Sequence, residues 1–182
     1  RGMLRWAMPT EDIAAVADIV RVHGAERADV AALVMGERIV TYGELHARSS
    51  QAANAFRTAG VRFGDRVAFV EKNGVEFFEV TYGLAKLGAV VVPVNWRLAP
   101  REAAFIINDS EATVLVIGEE LLPMLDAMAG ELTTVKRILV VGDAPVSGDR
   151  QPYETWLAGQ ATTDPGAEAT AEDVSFQFYS SG

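Results

Sequence analysis

From residue 64 onward the chain alternates, with little padding, between short apolar runs and amphipathic stretches of ten or so residues. The runs at 67–70, 89–94, 113–117 and 137–141 read as strands, and the stretches at 75–87, 101–108 and 119–129 read as helices between them. Strands that alternate with helices of this length build βαβ units and a parallel sheet. The strands agree with that reading. Val90, Val91 and Val92, like Ile138, Leu139, Val140 and Val141, do not alternate with polar residues, as expected of strands covered by helices on both faces. The 75–87 stretch carries Phe77, Phe78, Val80, Tyr82, Leu84 and Leu87 around much of its circumference. It is expected at the centre of the core, where each such side chain contributes about 1.5–3 kcal/mol on burial.

Ahead of this unit, a helix is expected over 12–22, with Thr10 as N-cap and Ile13, Val16, Ala17 and Val20 at helical spacing. Two short strands at 31–35 and 38–40 meet at Gly36-Glu37, spaced for a tight hairpin. Thr41 then caps a helix reaching about residue 59, with Glu44 as its capping-box partner and Gly60 at its left-handed end. After the unit, residues 142–172 shift to Gly, Pro, Asp, Thr and Ala, and read as a surface excursion broken by one short helix at 153–157. A last strand is expected at 174–179, apolar on both faces, followed by Ser180-Ser181-Gly182. The chain thus divides into 1–60 (helix, hairpin, helix), 64–141 (βαβ core), 142–172 (excursion) and 173–182 (strand and following loop). A final strand that feeds no further element implies a larger protein, with the remainder beyond Gly182 as a physical partner.

Of 182 residues, 16 are basic and 25 acidic, a formal charge of −9, and none is cysteine. The missing cysteines exclude disulfides, thiolate metal sites and a cysteine nucleophile. The negative balance argues against nucleic-acid binding, while leaving room for a small anionic ligand held by local donors. The longest apolar stretch, 87–94, falls well short of the ~20 residues a spanning helix needs. A soluble cytoplasmic protein is expected, touching membranes only at their surface, and a homodimer stays open among its partners.

General nucleotide signatures are missing. No G-x-G-x-x-G occurs, and Gly83 and Gly88 have Walker-type spacing without the Lys-Ser/Thr that must follow, so they read as structural. His23 and His46 fall on different helices with no third ligand nearby, and read as helix-surface residues; no metal site is expected. No G-x-S-x-G elbow supports a serine nucleophile. Glu119 and Glu120 read as acidic residues at a helix start. Trp96, just after a strand, reads as packing or as the wall of a cleft. Ser180, Ser181 and Gly182 supply two hydroxyls and main-chain N–H groups in a turn after a strand, a device that cradles phosphate oxygens.

Five segments in order resemble the N-terminal portion of the adenylate-forming superfamily, which contains acyl-CoA synthetases, peptide-synthetase adenylation domains and beetle luciferases. Thr41-Tyr42-Gly43-Glu44-Leu45 is similar to T-Y-x-E-L, Gly64-Asp65-Arg66-Val67-Ala68 to G-D-R-V-A, and Asn73-Gly74-Val75-Glu76-Phe77 to N-S-x-E-F. Residues 84–95 are similar to A-x-x-x-G-A-x-x-V-P-x-N, and Tyr179-Ser180-Ser181-Gly182 to the opening of the phosphate loop Y-T-S-G-T-T-G-x-P-K-G. Asn95-Trp96-Arg97-Leu98 with Glu102 is most similar to the N-x-R-L-x-x-x-E of acyl-CoA synthetases. The resemblance implies an enzyme that activates a carboxylic acid, of the fatty-acid type, with ATP and Mg²⁺ to an acyl-adenylate and passes it to CoA. It places Ser180, Ser181 and Gly182 against the triphosphate. The catalytic residues, the metal and adenine motifs and the acyl pocket are expected beyond Gly182, which leaves this chain without a catalytic residue and inactive by itself. Two alternatives stay open: an adenylating enzyme whose acceptor is a carrier protein, and a non-catalytic α/β binding domain.

Overall fold

The computed structural model describes residues 13–166 and 170–180. Thr10, the expected cap of the first helix, lies outside them. Helix α1, Val16–Glu26, starts later and ends later than its apolar spacing implies. The start is set by Asp18, whose carboxylate accepts the N–H of Ala15 at 2.8 Å. The helix then continues through Gly24, where a side chain would come within 2.8 Å of His46 Cβ, so glycine lets α1 lie close to its neighbour. The hairpin β1 (Ala31–Met35) and β2 (Arg38–Thr41) forms as read, turning at Gly36 with φ +61°. Helix α2 (Tyr42–Thr58) opens with the capping box: Glu44 N–H donates to Thr41 Oγ1 at 3.2 Å and Thr41 N–H to Glu44 Oε2 at 2.8 Å.

The core sheet contains β3 (Arg66–Val70), β4 (Val90–Pro93), β5 (Val114–Gly118), β6 (Arg137–Val141) and β7 (Arg150–Pro152), all parallel, in the order β4-β3-β5-β6-β7. On one face lie α2, α3 (Val75–Ala85) and α6 (Tyr153–Leu157), packing Phe56, Val80, Leu84, Tyr153 and Trp156 against Val67, Phe69, Val91 and Val116. On the other lie α4 (Pro100–Asp109) and α5 (Leu122–Met128), whose Ala104, Ile107, Leu125 and Met128 meet Ala68, Val70, Val92, Leu115 and Val140. Consecutive strand residues thus serve opposite layers, which is why the runs are apolar throughout.

Three expectations are corrected. The stretch at 119–129 is no single helix: a 3₁₀ turn, Glu119–Leu121, precedes α5, because Pro123 has no N–H to return to Glu119. The excursion at 142–172 contains a fifth strand of the sheet, β7, and then α6, whose Tyr153 and Leu157 are buried in the core and whose Trp156 packs edge-on to Phe56 at 4.8 Å. Arg-Gln-Pro has no apolar run because β7 is an edge strand.

The strand expected at 174–179 makes one parallel bridge, Val91 to Phe176, in which Val91 N–H donates to Ser175 O and Gln177 N–H to Val91 O, both at 3.0 Å. The neighbouring residues of β4 explain why it stops. A parallel ladder would next draw on the N–H groups of Pro93 and Ala89. Proline has none, and Ala89 N–H is spent on Leu84 O at 3.0 Å, where left-handed Gly88 (φ +65°) closes α3. Val174 and Phe178 are 62% and 72% exposed, so the segment is not buried on both faces.

Candidate functional site

In an open parallel sheet, ligands sit beyond the carboxyl ends of the strands, near the point where the strand order reverses. Here that point lies between β3 and β5, and the protein fills it with its own side chains. Glu71, one residue past β3, lays its carboxylate over Gly118, where an added Cβ would lie 1.1 Å from Glu71 Oε2. Burial raises the Glu71 carboxyl above its ordinary value. Lys72 forms an ion pair with Glu120, and its pKa is raised chiefly by that hydrogen bond. Glu119, across from Gly142, accepts the N–H of Ala144 at 2.6 Å. Both residues of the Glu119-Glu120 pair therefore have partners outside their own helical turn.

The open space lies one strand over, where the chain leaves β4. Asn95 Oδ1 accepts the N–H of Arg97 at 3.0 Å, and Glu102 Oε2 accepts that of Ala99 at 2.9 Å, so the 95–102 turn is held by its own side chains before α4 begins. Two recesses flank it. One, of about 640 Å³, has Pro93, Asn95, Leu98, Phe105, Tyr179 and Ser180 among its walls. The other, about 390 Å³, is aromatic, with Phe69, Phe77, Trp96 and Phe178. Trp96 is thus a cleft wall, and it carries two cations: the Arg97 guanidinium 4.9 Å and the Lys72 ammonium 5.5 Å from its ring centre.

Of the three residues expected at the phosphate turn, the structure places Ser180, exposed at the mouth of the larger recess. Ser181 and Gly182 lie outside the described residues. Ser180 is reached through two ties that the sequence did not signal. Tyr179 Oη donates to Asp109 Oδ2 at 2.7 Å, at the end of α4, and accepts from Gln177 Nε2 at 2.9 Å. A tyrosine two residues after a glutamine gives no hint of a carboxylate 70 positions earlier.

The histidines need a correction too. His23 is only 6% exposed, stacked edge-on to Tyr42 at 4.9 Å, and His46 Nδ1 lies 3.2 Å from the Lys86 ammonium. His23 serves the α1–α2 packing rather than the surface, and His46, half-buried on α2, reaches Lys86 at the end of α3. Gly83 is structural as read: a Cβ there would stand 3.0 Å from Ser49 O on α2.

The sequence profile of the family described as AMP-binding enzyme matches residues 20–182. The chain belongs to that family, within the adenylate-forming superfamily. Among its relatives, a 3-hydroxybenzoate–CoA/4-hydroxybenzoate–CoA ligase of Thauera aromatica is 36% identical over 83% of this chain and 29% of its own length. The fatty acid–[acyl-carrier-protein] ligase ScoC of Streptomyces coeruleorubidus is 32% identical over 88% of the chain and 29% of its own length. Long-chain-fatty-acid–CoA ligase FadD13 of Mycobacterium tuberculosis is 34% identical over 79% and 27%. The chain therefore spans less than a third of the curated relatives it matches. Among solved structures, the anthranilate CoA ligase AuaEII, in complex with anthranoyl-AMP, superposes with a TM-score of 0.87 at 31% identity, over 96% of this chain and 34% of that one. The N-terminal domain of FACL13 from Mycobacterium tuberculosis gives 0.82 at 30% identity, over 93% and 42%. This member of the AMP-binding enzyme family thus has the fold of the first part of such ligases.

Proposed function

We propose that this chain is the N-terminal part of an ATP-dependent acid–thiol ligase and carries the first contact with the triphosphate. A carboxylate oxygen of the acid attacks the α-phosphorus of MgATP; the bond to the bridging oxygen breaks and pyrophosphate leaves. The CoA thiolate then attacks the acyl carbon, and AMP departs. The observation that carries the reading is the position of Ser180: a hydroxyl at the carboxyl end of the sheet, beside Asn95, at the head of Ser180-Ser181-Gly182. Donors fixed in such a turn bind phosphate oxygens without reorganising. ATP, Mg²⁺ and CoA are substrates of the complete enzyme.

The Asn95-Trp96-Arg97-Leu98 stretch supports CoA as the acceptor, and the FadD13 relative supports a fatty acid as substrate. The hydroxybenzoate ligases, at 36% and 37% identity, favour a second reading, an aryl acid. ScoC keeps a carrier protein open as acceptor. ATP–pyrophosphate exchange by the complete enzyme, run with hydroxybenzoates and with fatty acids, decides the acid, and CoA against a carrier protein decides the acceptor. No exchange with any acid overturns the reading. Ser180→Ala is expected to raise the KM for MgATP roughly three- to tenfold, the value of one hydrogen bond to a charged group in part-exposed surroundings. Among the described residues no helix is long and apolar enough to cross a membrane. We place the enzyme in the cytoplasm, so the intact native protein is expected in the soluble fraction without detergent.

A further inference from the structure

The phosphate turn has to begin at a fixed point, yet the strand that delivers it is almost unpaired. Its main chain is bonded to β4 only around Val91, and Pro93 and Ala89 deny it further ladder bonds. Past Gln177 the anchoring passes to side chains. Gln177 Nε2 donates to Tyr179 Oη, and that hydroxyl donates to Asp109 Oδ2 at the carboxyl end of α4. The tyrosine ring packs against the α4–α5 layer of the core. A ring held in a packed layer, with its hydroxyl fixed between a donor and an acceptor, has one position, and the next residue in the chain is Ser180.

We propose that Tyr179 is a positioning residue for the phosphate turn: clasped by Asp109 and Gln177, it pins the main chain one residue ahead of Ser180, replacing the ladder that Pro93 denies. This rests on the ligase reading above. Asp109 has no contact with the ligand in this scheme and acts only through the tyrosine. The clasp ties Tyr179, and Ser180 directly after it, to α4, the helix that walls the larger recess.

The test uses the complete enzyme, with MgATP and the acid varied separately in ATP–pyrophosphate exchange. Tyr179→Phe keeps the packed ring and removes the hydroxyl. It is expected to raise the KM for MgATP roughly three- to tenfold, with the KM for the acid and the thermal midpoint unchanged. Asp109→Ala should match it, Asp109→Asn, whose amide oxygen still accepts, should restore most of the loss, and the Tyr179→Phe/Asp109→Ala double variant should be no worse than either. An unchanged KM for MgATP in Tyr179→Phe overturns the proposal. So does a parallel rise in both KM values with a lowered midpoint, because that marks a structural role. Absence of exchange in the unsubstituted enzyme with every acid would instead sink the ligase reading, while loss of the Tyr179–Asp109 bond could still be read from hydrogen exchange across 174–180.

Discussion

Lys86 has no exposed surface, and its ammonium is held by Ser50 Oγ at 2.6 Å, Ser49 Oγ and His46 O at 3.0 Å, and Asp164 at 3.5 Å. Burial lowers its pKa to about 8, against the pull of Asp164. The unfolded chain holds the proton more tightly between pH 8 and about 10.5, so the cost of the buried charge is present below pH 8 and is relieved as the pH rises through that window. Urea stability of the wild type is expected to gain on Lys86→Met across pH 8–10, by an amount on the order of 3 kcal/mol at most. Asp164 runs the other way in acid. Although burial pushes its carboxyl up, the bidentate Arg21 at 3.0 Å, the N–H of Gly166 and Lys86 outweigh that and bring it down to about 2. Its contribution is complete above about pH 4 and is lost as the pH falls through 2. An Asp164→Asn variant whose acid limb matched the wild type's would contradict this. At Gly83 the neighbours are Ser49 O, Ala53 N and the Cβ of Ala52 on α2, none of which can swing aside. Gly83→Ala is expected to cost about 1–3 kcal/mol, seen as a lower thermal midpoint.

The helices and strands were legible wherever one residue type carried the decision. Thr41 and Glu44 announced the start of α2, and Gly36-Glu37 the hairpin turn. The two-faced apolar runs identified four of the five core strands. β7 was not legible, because an edge strand of Arg-Gln-Pro differs little from a loop. Pro93 and Pro123 were in plain view, yet what each forbids depends on which neighbour needs its N–H, and that is a property of the assembled sheet or turn. The polar stripe of α2 was equally silent. Arg48, Gln51 and Asn54, three residues apart, reach Glu154, Leu157 O, and the carbonyls of Ala161 and Thr163. They strap 154–164 along the helix, and Asp164 closes the far end on Arg21 and Lys86. Asn54→Ala leaves two carbonyls without that donor. Faster amide exchange confined to 158–166 is expected, and exchange spread evenly over the chain would show that the strap is no separate unit.

At the level of the whole molecule, the open side of the sheet is the β4 side. Val174, Phe178 and Phe105 are exposed around it, next to the larger recess. The 182-residue chain alone is expected to bind hydrophobic dyes and to self-associate in light scattering, with Val174→Ser/Phe178→Ser reducing both. A monodisperse monomer that binds no dye would show this apolar surface to be too small to matter. The site was legible only in part. Ser180 became a candidate through the phosphate-loop resemblance that Tyr179 opens, whereas the recess beside it, the filled β3–β5 crevice and the Tyr179 clasp arise from residues far apart in the chain.

Pro93 also has a meaning in time. During synthesis β4 leaves the ribosome roughly eighty residues before Ser175, which at about 5–20 residues per second is a wait of some four to sixteen seconds. Through that interval β5, β6 and β7 are synthesised, while the segment that will bridge to Val91 on the outer margin of the three valines does not yet exist. Such a margin invites the same segment of a neighbouring nascent chain. The imino acid at its end withholds a donor on the vulnerable side, so the chain carries its own quarantine until its proper companion arrives.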